Sequence, residues 1–236
     1  MDRLFFLSVN PNLWYYHWNK SILNDQGDDK VGSRLMHLLI SDFVGKELSI
    51  KQRGDMLLGA IAPDANSEKG DTHFLGDQFK YGVNRRWEYG RFITKYKERI
   101  TEPFMLGYLT HLVADEVWAM KSYFSGLEER LNKEPALYDR YQHDFRLCNA
   151  KLNEMFISEG LYEALNSAVY IPVMDELNEK NVFVLKKQAL EDFNYPVEHV
   201  QEEMSVFSLD EILAYMERSA YRALDVCRSQ LGTIHT

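Results

Sequence analysis

Three histidines and two aspartates, His37, Asp64, His73, His111 and Asp115, bring chemically useful groups into the first half of the chain. The most informative pair lies inside Gly107-Tyr108-Leu109-Thr110-His111-Leu112-Val113-Ala114-Asp115-Glu116-Val117-Trp118. Apolar residues surround His111 and Asp115 on nearly every side, so the stretch reads as the middle of a buried helix. Four positions apart, the imidazole and the carboxylate project from one face, one turn from each other. Burying such groups is costly unless they pair with each other or bind a cation. The spacing suits a metal such as zinc, which accepts nitrogen and carboxylate oxygen together. A structural His–Asp hydrogen bond accounts for the pair in isolation equally well. Together, the five residues can fill one tetrahedral zinc site with a position left open, or a two-metal site sharing a carboxylate.

The elements that must position these groups read as helices. Ser33 to Leu48 carries Leu35, Leu38, Leu39, Phe43 and Val44 at helical spacing, with Ser33 as N-cap and His37 beside the apolar stripe. A second helix from about Lys51 ends at Pro63, because the residue before proline is pushed out of the α region. Residues 62 to 74 are loop by composition and deliver Asp64 and His73 where two buried helices meet; the bland alternative for Pro63-Asp64 is an Asx turn. Trp87 to Ile100 is expected to be an aromatic amphipathic helix. Thr101-Glu102-Pro103 opens the central helix, which runs to about Phe124. Further helices are expected over Glu134 to Ile157, in one or two pieces over 159 to 200, and from Leu209 to about Leu231.

Strand signals are almost absent, so the expected fold is an all-α, single-domain bundle of six to nine helices, with the metal site in a cleft between them. Residues 1 to 30 form an N-terminal arm, in which His17 sits among aromatics and reads as a packing residue. At 236 residues and 45% hydrophobic, the chain can bury a sizeable core. Its formal charge of -9 argues against a stable nucleic acid complex or an anionic membrane surface, since the long-range field repels both. No segment has the length of a membrane span, and the first eleven residues lack a signal-peptide pattern. Cys148 and Cys227 form no CxxC pattern and read as reduced and buried, which makes a cytoplasmic location the expectation. His199 and His235 read as surface residues.

Four blocks then resemble successive motifs of the zinc-dependent phospholipase C family. They are Gly32-Ser33-Arg34-Leu35-Met36-His37, Leu58-Gly59-Ala60-Ile61-Ala62-Pro63-Asp64, Lys69 through Thr72-His73-Phe74, and Gly107 through His111 to Asp115. The resemblance covers roughly residues 32 to 120, and its last block is the most specific. It implies an all-helical phosphoester hydrolase with zinc in a cleft between helices. It also implies metal roles for His37, His73, His111 and Asp115, with Asp115 able to bridge two ions, and a water-orienting or activating role for Asp64. Single-strand-specific zinc nucleases share that fold, so the scaffold does not fix the substrate. Two departures matter. Secreted members use a processed N-terminal amino group as a ligand, whereas 36 residues precede His37 here. They also carry a further histidine shortly after the aspartate and then a His-x-x-x-Glu pair. This chain has no histidine between Asp115 and His143, and His143-x-x-x lands on Leu147. One or two metal ions, zinc or another divalent metal, are therefore expected rather than three, with His143 or Asp144 as a possible extra ligand.

The implied mechanism is metal-bound hydroxide attacking phosphorus. Zinc lowers the pKa of a bound water towards about 7, Asp64 orients or deprotonates it, and the metals stabilise developing phosphoryl charge. The partner would be a phosphoester small molecule or a phospholipid head group. Lys69 is near enough in sequence to meet a phosphate, although a solvated loop charge is the simpler reading. Two alternatives stand beside this one. An HD-type phosphohydrolase would use His111, His143-Asp144 and a later aspartate such as Asp175 or Asp192. A non-catalytic metal-containing binding protein would need only the ligands.

Overall fold

Ser33 caps the first helix as its sequence predicts: its hydroxyl accepts the Met36 N–H at 3.3 Å, and α1 (Arg34–Glu47) follows. The computed structural model describes residues 33–66, 69–75, 88–124, 126–156 and 160–232. Within them every regular element is helical, as expected. The N-terminal arm with His17, Trp87, His235 and the side chain of Lys69 lie outside the described residues.

The chain continues through α2 (Arg53–Ile61), a 3-10 turn (Ala62–Ala65), α3 (Lys69–Thr72), α4 (Tyr89–Lys95) and α5 (Pro103–Phe124). It then runs through α6 (Leu127–Lys133), α7 (Leu137–Phe156), α8 (Leu161–Ser167), α9 (Glu179–Glu191), α10 (Glu198–Gln201) and α11 (Leu209–Gly232). The helices are more numerous than the six to nine expected because several connections form a turn or two of helix themselves. Two of them, α3 and α10, are only four residues long.

The central element is α5. From Phe104 to Ala114 every residue is buried, and α2, α11 and α1 pack around it. Burying each large apolar side chain there stabilises the fold by about 1.5–3 kcal/mol. Two glycines set how closely α2 approaches. A Cβ on Gly59 would stand 2.0 Å from the Phe104 carbonyl oxygen, and one on Gly107 would stand 1.9 Å from that of Met56. Both are impossible separations, so the two backbones touch where only hydrogen fits.

Two local expectations are corrected. The segment 62–74 is not loop throughout: Pro63 sits in the first turn of a 3-10 helix, where its fixed φ is an asset and its missing N–H costs nothing. Nor is α4 a helix to Ile100. After Lys95 the backbone bonds become i to i−3, with Arg99 N–H on the Tyr96 carbonyl and Glu102 N–H on that of Arg99. The Arg99 guanidinium meanwhile reaches Glu102 and the Val173 carbonyl. Among the described residues no helix is long and apolar enough to cross a membrane.

Candidate metal centre

All five sequence-predicted residues meet at one point. His37 comes from α1, Asp64 from the 3-10 turn, His73 from just beyond α3, and His111 with Asp115 from α5. The three rings and the Asp115 carboxylate are at most 3% exposed as residues, and the Asp64 side chain is 11% exposed.

The backbone contact between α2 and α5 has a direct consequence here. It brings the Ala60 carbonyl to 2.8 Å from His111 Nδ1, which donates to it. That bond fixes the tautomer and leaves the Nε2 lone pair facing inward. His73 Nδ1 lies 3.0 Å from Thr72 Oγ1, so its Nε2 also faces the cluster. His37 stacks on His111, with ring centroids 3.9 Å apart and planes 17° apart. Its Nδ1 has no hydrogen-bond partner although it is fully enclosed.

The distances among the inward-facing atoms form a regular figure. His73 Nε2, His111 Nε2 and Asp115 Oδ2 are mutually 3.3 Å apart. Asp64 Oδ1 is 3.4 Å from His73 Nε2, and Asp115 Oδ1 is 3.5 Å from His37 Nε2. Hydrogen bonds of nitrogen to oxygen are about 2.7–3.2 Å long, and shorter still when charge assists them. Five polar groups, four of them buried, thus converge at separations near the long end of the hydrogen-bond range. Two overlapping sets that share His111, namely His37/Asp64/His111 and His73/His111/Asp115, each bring three ligand atoms within 4.8 Å of one another, close enough for a metal ion.

The electrostatics agree. Burial and the neighbouring His111 press the His37 pKa down to about 3, only partly offset by Asp115 and Asp64, so this ring is neutral. Burial also works against charge on His73, but hydrogen bonds and attraction from Asp115 and Asp64 prevail and push it up to about 9. Burial opposes the Asp115 carboxylate, yet the imidazoles of His111, His73 and His37 hold its pKa well below the usual carboxylate range. A proton on His73 offsets part of the carboxylate charge in this interior, and a divalent cation would displace that proton and take over its role.

Apart from His111, the residues of the rival constellation do not join this cluster. Asp144 is buried, but its carboxylate accepts the N–H groups of Ser205 (2.9 Å), Val206 (2.6 Å) and Phe207 (3.0 Å), fixing the turn that leads into α11. His143 pairs with Glu202 at 2.6 Å on a half-exposed face, and its ring contacts that of His199. Asp175 is 87% exposed and faces Lys95, while Asp192 pairs with Arg34 at 2.6 Å. Sequence reasoning missed the supporting partners: the Ala60 carbonyl, the Thr72 hydroxyl, and Tyr108, whose hydroxyl donates to the Thr72 carbonyl at 2.5 Å. The two glycines at the α2–α5 contact are a signal that could have led to the Ala60 carbonyl; no signal in the sequence marks the Thr72 and Tyr108 bonds.

Comparison of the chain with protein-family models, with curated proteins and with solved structures finds no match in any of the three.

Proposed function

We propose that the chain is a zinc-dependent phosphoester hydrolase of the phospholipase C type, holding one or two ions in the His37–Asp64–His73–His111–Asp115 cluster. The observation that carries the metal reading is the spacing of the ligand atoms. Groups bound at about 2.0–2.1 Å in a tetrahedral zinc site stand about 3.3–3.4 Å apart along each edge. The triangle of His73, His111 and Asp115, at 3.3 Å on each side, has the size of one such face. Nitrogen with carboxylate oxygen is a donor set zinc favours. Asp115 presents Oδ2 to His73 and His111 and Oδ1 to His37, so its carboxylate would help to hold the metal with any of the three rings.

Bound there, zinc would supply Lewis acidity, lowering the pKa of coordinated water towards about 7 and offsetting phosphoryl charge. The chain's own part is to orient and to move protons. His111 is held by the Ala60 carbonyl and His73 by Thr72, so neither ring must reorganise. Asp64 is the most exposed of the five and stands beside His73, the place for a carboxylate that accepts a proton from an incoming water. The same cluster would draw a phosphoester, a small molecule or a lipid head group, to a protein whose net charge is negative.

A second reading draws on the burial of the rings: a structural metal site in a binding protein, with no substrate. A panel of phospholipids, nucleotides and chromogenic phosphoesters, offered to the zinc-loaded protein, separates the two. Hydrolysis that falls by about 10²-fold or more in Asp64→Asn, with zinc retained, supports the enzyme. Bound zinc without turnover of any member supports the structural site.

A further inference from the structure

The segment that presents His73 has little regular structure of its own. It follows a helix of four residues, and its next residue, Phe74, has a left-handed backbone with φ of 50°. For a non-glycine residue that conformation is strained and persists only where its surroundings impose it. The imposing neighbour is on α5. The Phe74 ring stands edge-on to Phe92 and Tyr108, at 5.3 and 6.3 Å, and Phe92 stacks on Tyr108 at 4.7 Å. Tyr108 is fully buried, and its hydroxyl donates at 2.5 Å to the Thr72 carbonyl, the oxygen of the peptide that leads into His73.

Tyr108 and His111 are three residues apart on one helix face, and Asp115 follows one turn later. One rigid helix therefore carries two ligands and also grips the peptide that carries a third. We infer that Tyr108 is the positioning residue of the metal centre: its hydroxyl, bonded to the Thr72 carbonyl, fixes where His73 presents Nε2 and so sets how tightly and in what geometry the ion is held. The inference rests on the metal reading of the cluster. Without the hydroxyl, the Thr72 carbonyl would lose this bond to α5, and the His73 turn would be freer to shift.

The test compares the full chain with Tyr108→Phe, which keeps the ring and its stacking and removes one O–H. Zinc affinity is measured by competition with a chromogenic chelator, and cobalt(II) is substituted to read coordination from its visible d–d spectrum. Tyr108→Phe is expected to weaken zinc at least tenfold, within the range for groups that orient ligands, and to change the intensity of the cobalt bands. Leu137→Ala, which opens a cavity at the start of α7, an element that supplies none of the five residues, is expected to lower the melting temperature with the cobalt spectrum unchanged. If Tyr108→Phe does not fold, p-aminophenylalanine at 108 keeps an N–H donor and should keep the wild-type spectrum and affinity. Wild-type zinc affinity and cobalt spectrum in Tyr108→Phe overturn the positioning role and leave the metal centre standing. So does an altered spectrum with p-aminophenylalanine. A wild-type chain that binds neither zinc nor cobalt overturns both.

Discussion

Replacing Gly107 with alanine perturbs the fold and the site through one contact. The added Cβ would stand 1.9 Å from the Met56 carbonyl oxygen, where real Cβ contacts essentially never fall below 3.0 Å, so α2 must retreat by a little over an ångström. The Ala60 carbonyl, one turn along α2, retreats with it, and its 2.8 Å bond to His111 Nδ1 stretches beyond hydrogen-bond length. Opening a close-packed interface in this way costs about 1–3 kcal/mol, and leaving a buried imidazole N–H without its acceptor costs about 1–3 more. The expected loss is about 4 kcal/mol, a large share of the roughly 5–15 kcal/mol by which a domain is stable. Urea denaturation of the metal-free proteins measures it, and a chelator competition should show zinc held at least tenfold more weakly. A variant within about 1 kcal/mol of wild type, with unchanged zinc affinity, would refute the idea that the glycine contact sets the His111 tautomer.

Asp144→Ala separates structural from ligating carboxylates. It removes the acceptor of three backbone N–H groups at the entrance to α11, so stability should fall by about 3 kcal/mol or more while metal stoichiometry is unchanged. Loss of metal in that variant would return Asp144 to the site. Burial pushes the thiols of Cys148 and Cys227 up to about 12, so neither supplies thiolate at pH 8 in the folded chain. Native protein should react with a disulfide reagent only as fast as it opens, and both thiols should react at once in denaturant. Rapid labelling without denaturant would contradict their placement.

The site was legible in sequence because its chemistry is rare in its surroundings. A histidine and an aspartate one turn apart in an apolar run, with a Pro-Asp and a His in the segment between helices, have few other reasons to be there. The long helices were legible for the same kind of reason: Ser33 caps, Pro103 opens, and the apolar period runs unbroken from Phe104 to Trp118. What the sequence hid were bonds whose other end is backbone. Nothing in its type tells that Ala60 supplies a carbonyl to His111, or Thr72 one to Tyr108, since every residue has one. Asp144 misled for the opposite reason: beside His143 it looked like half a metal motif, but its partners lie some sixty residues on. The short helix α3 was hidden because four residues give no period to read.

The most direct measurement is the metal content of the purified protein, by elemental mass spectrometry, in wild type and in His111→Ala/Asp115→Ala. The spacing of the cluster predicts zinc or a similar divalent ion at one or two per chain in wild type, and none in a double variant that remains folded by circular dichroism. A metal-free wild type that takes up no zinc on dialysis, or a double variant that keeps its full complement, would contradict the assignment of these five residues as a metal centre.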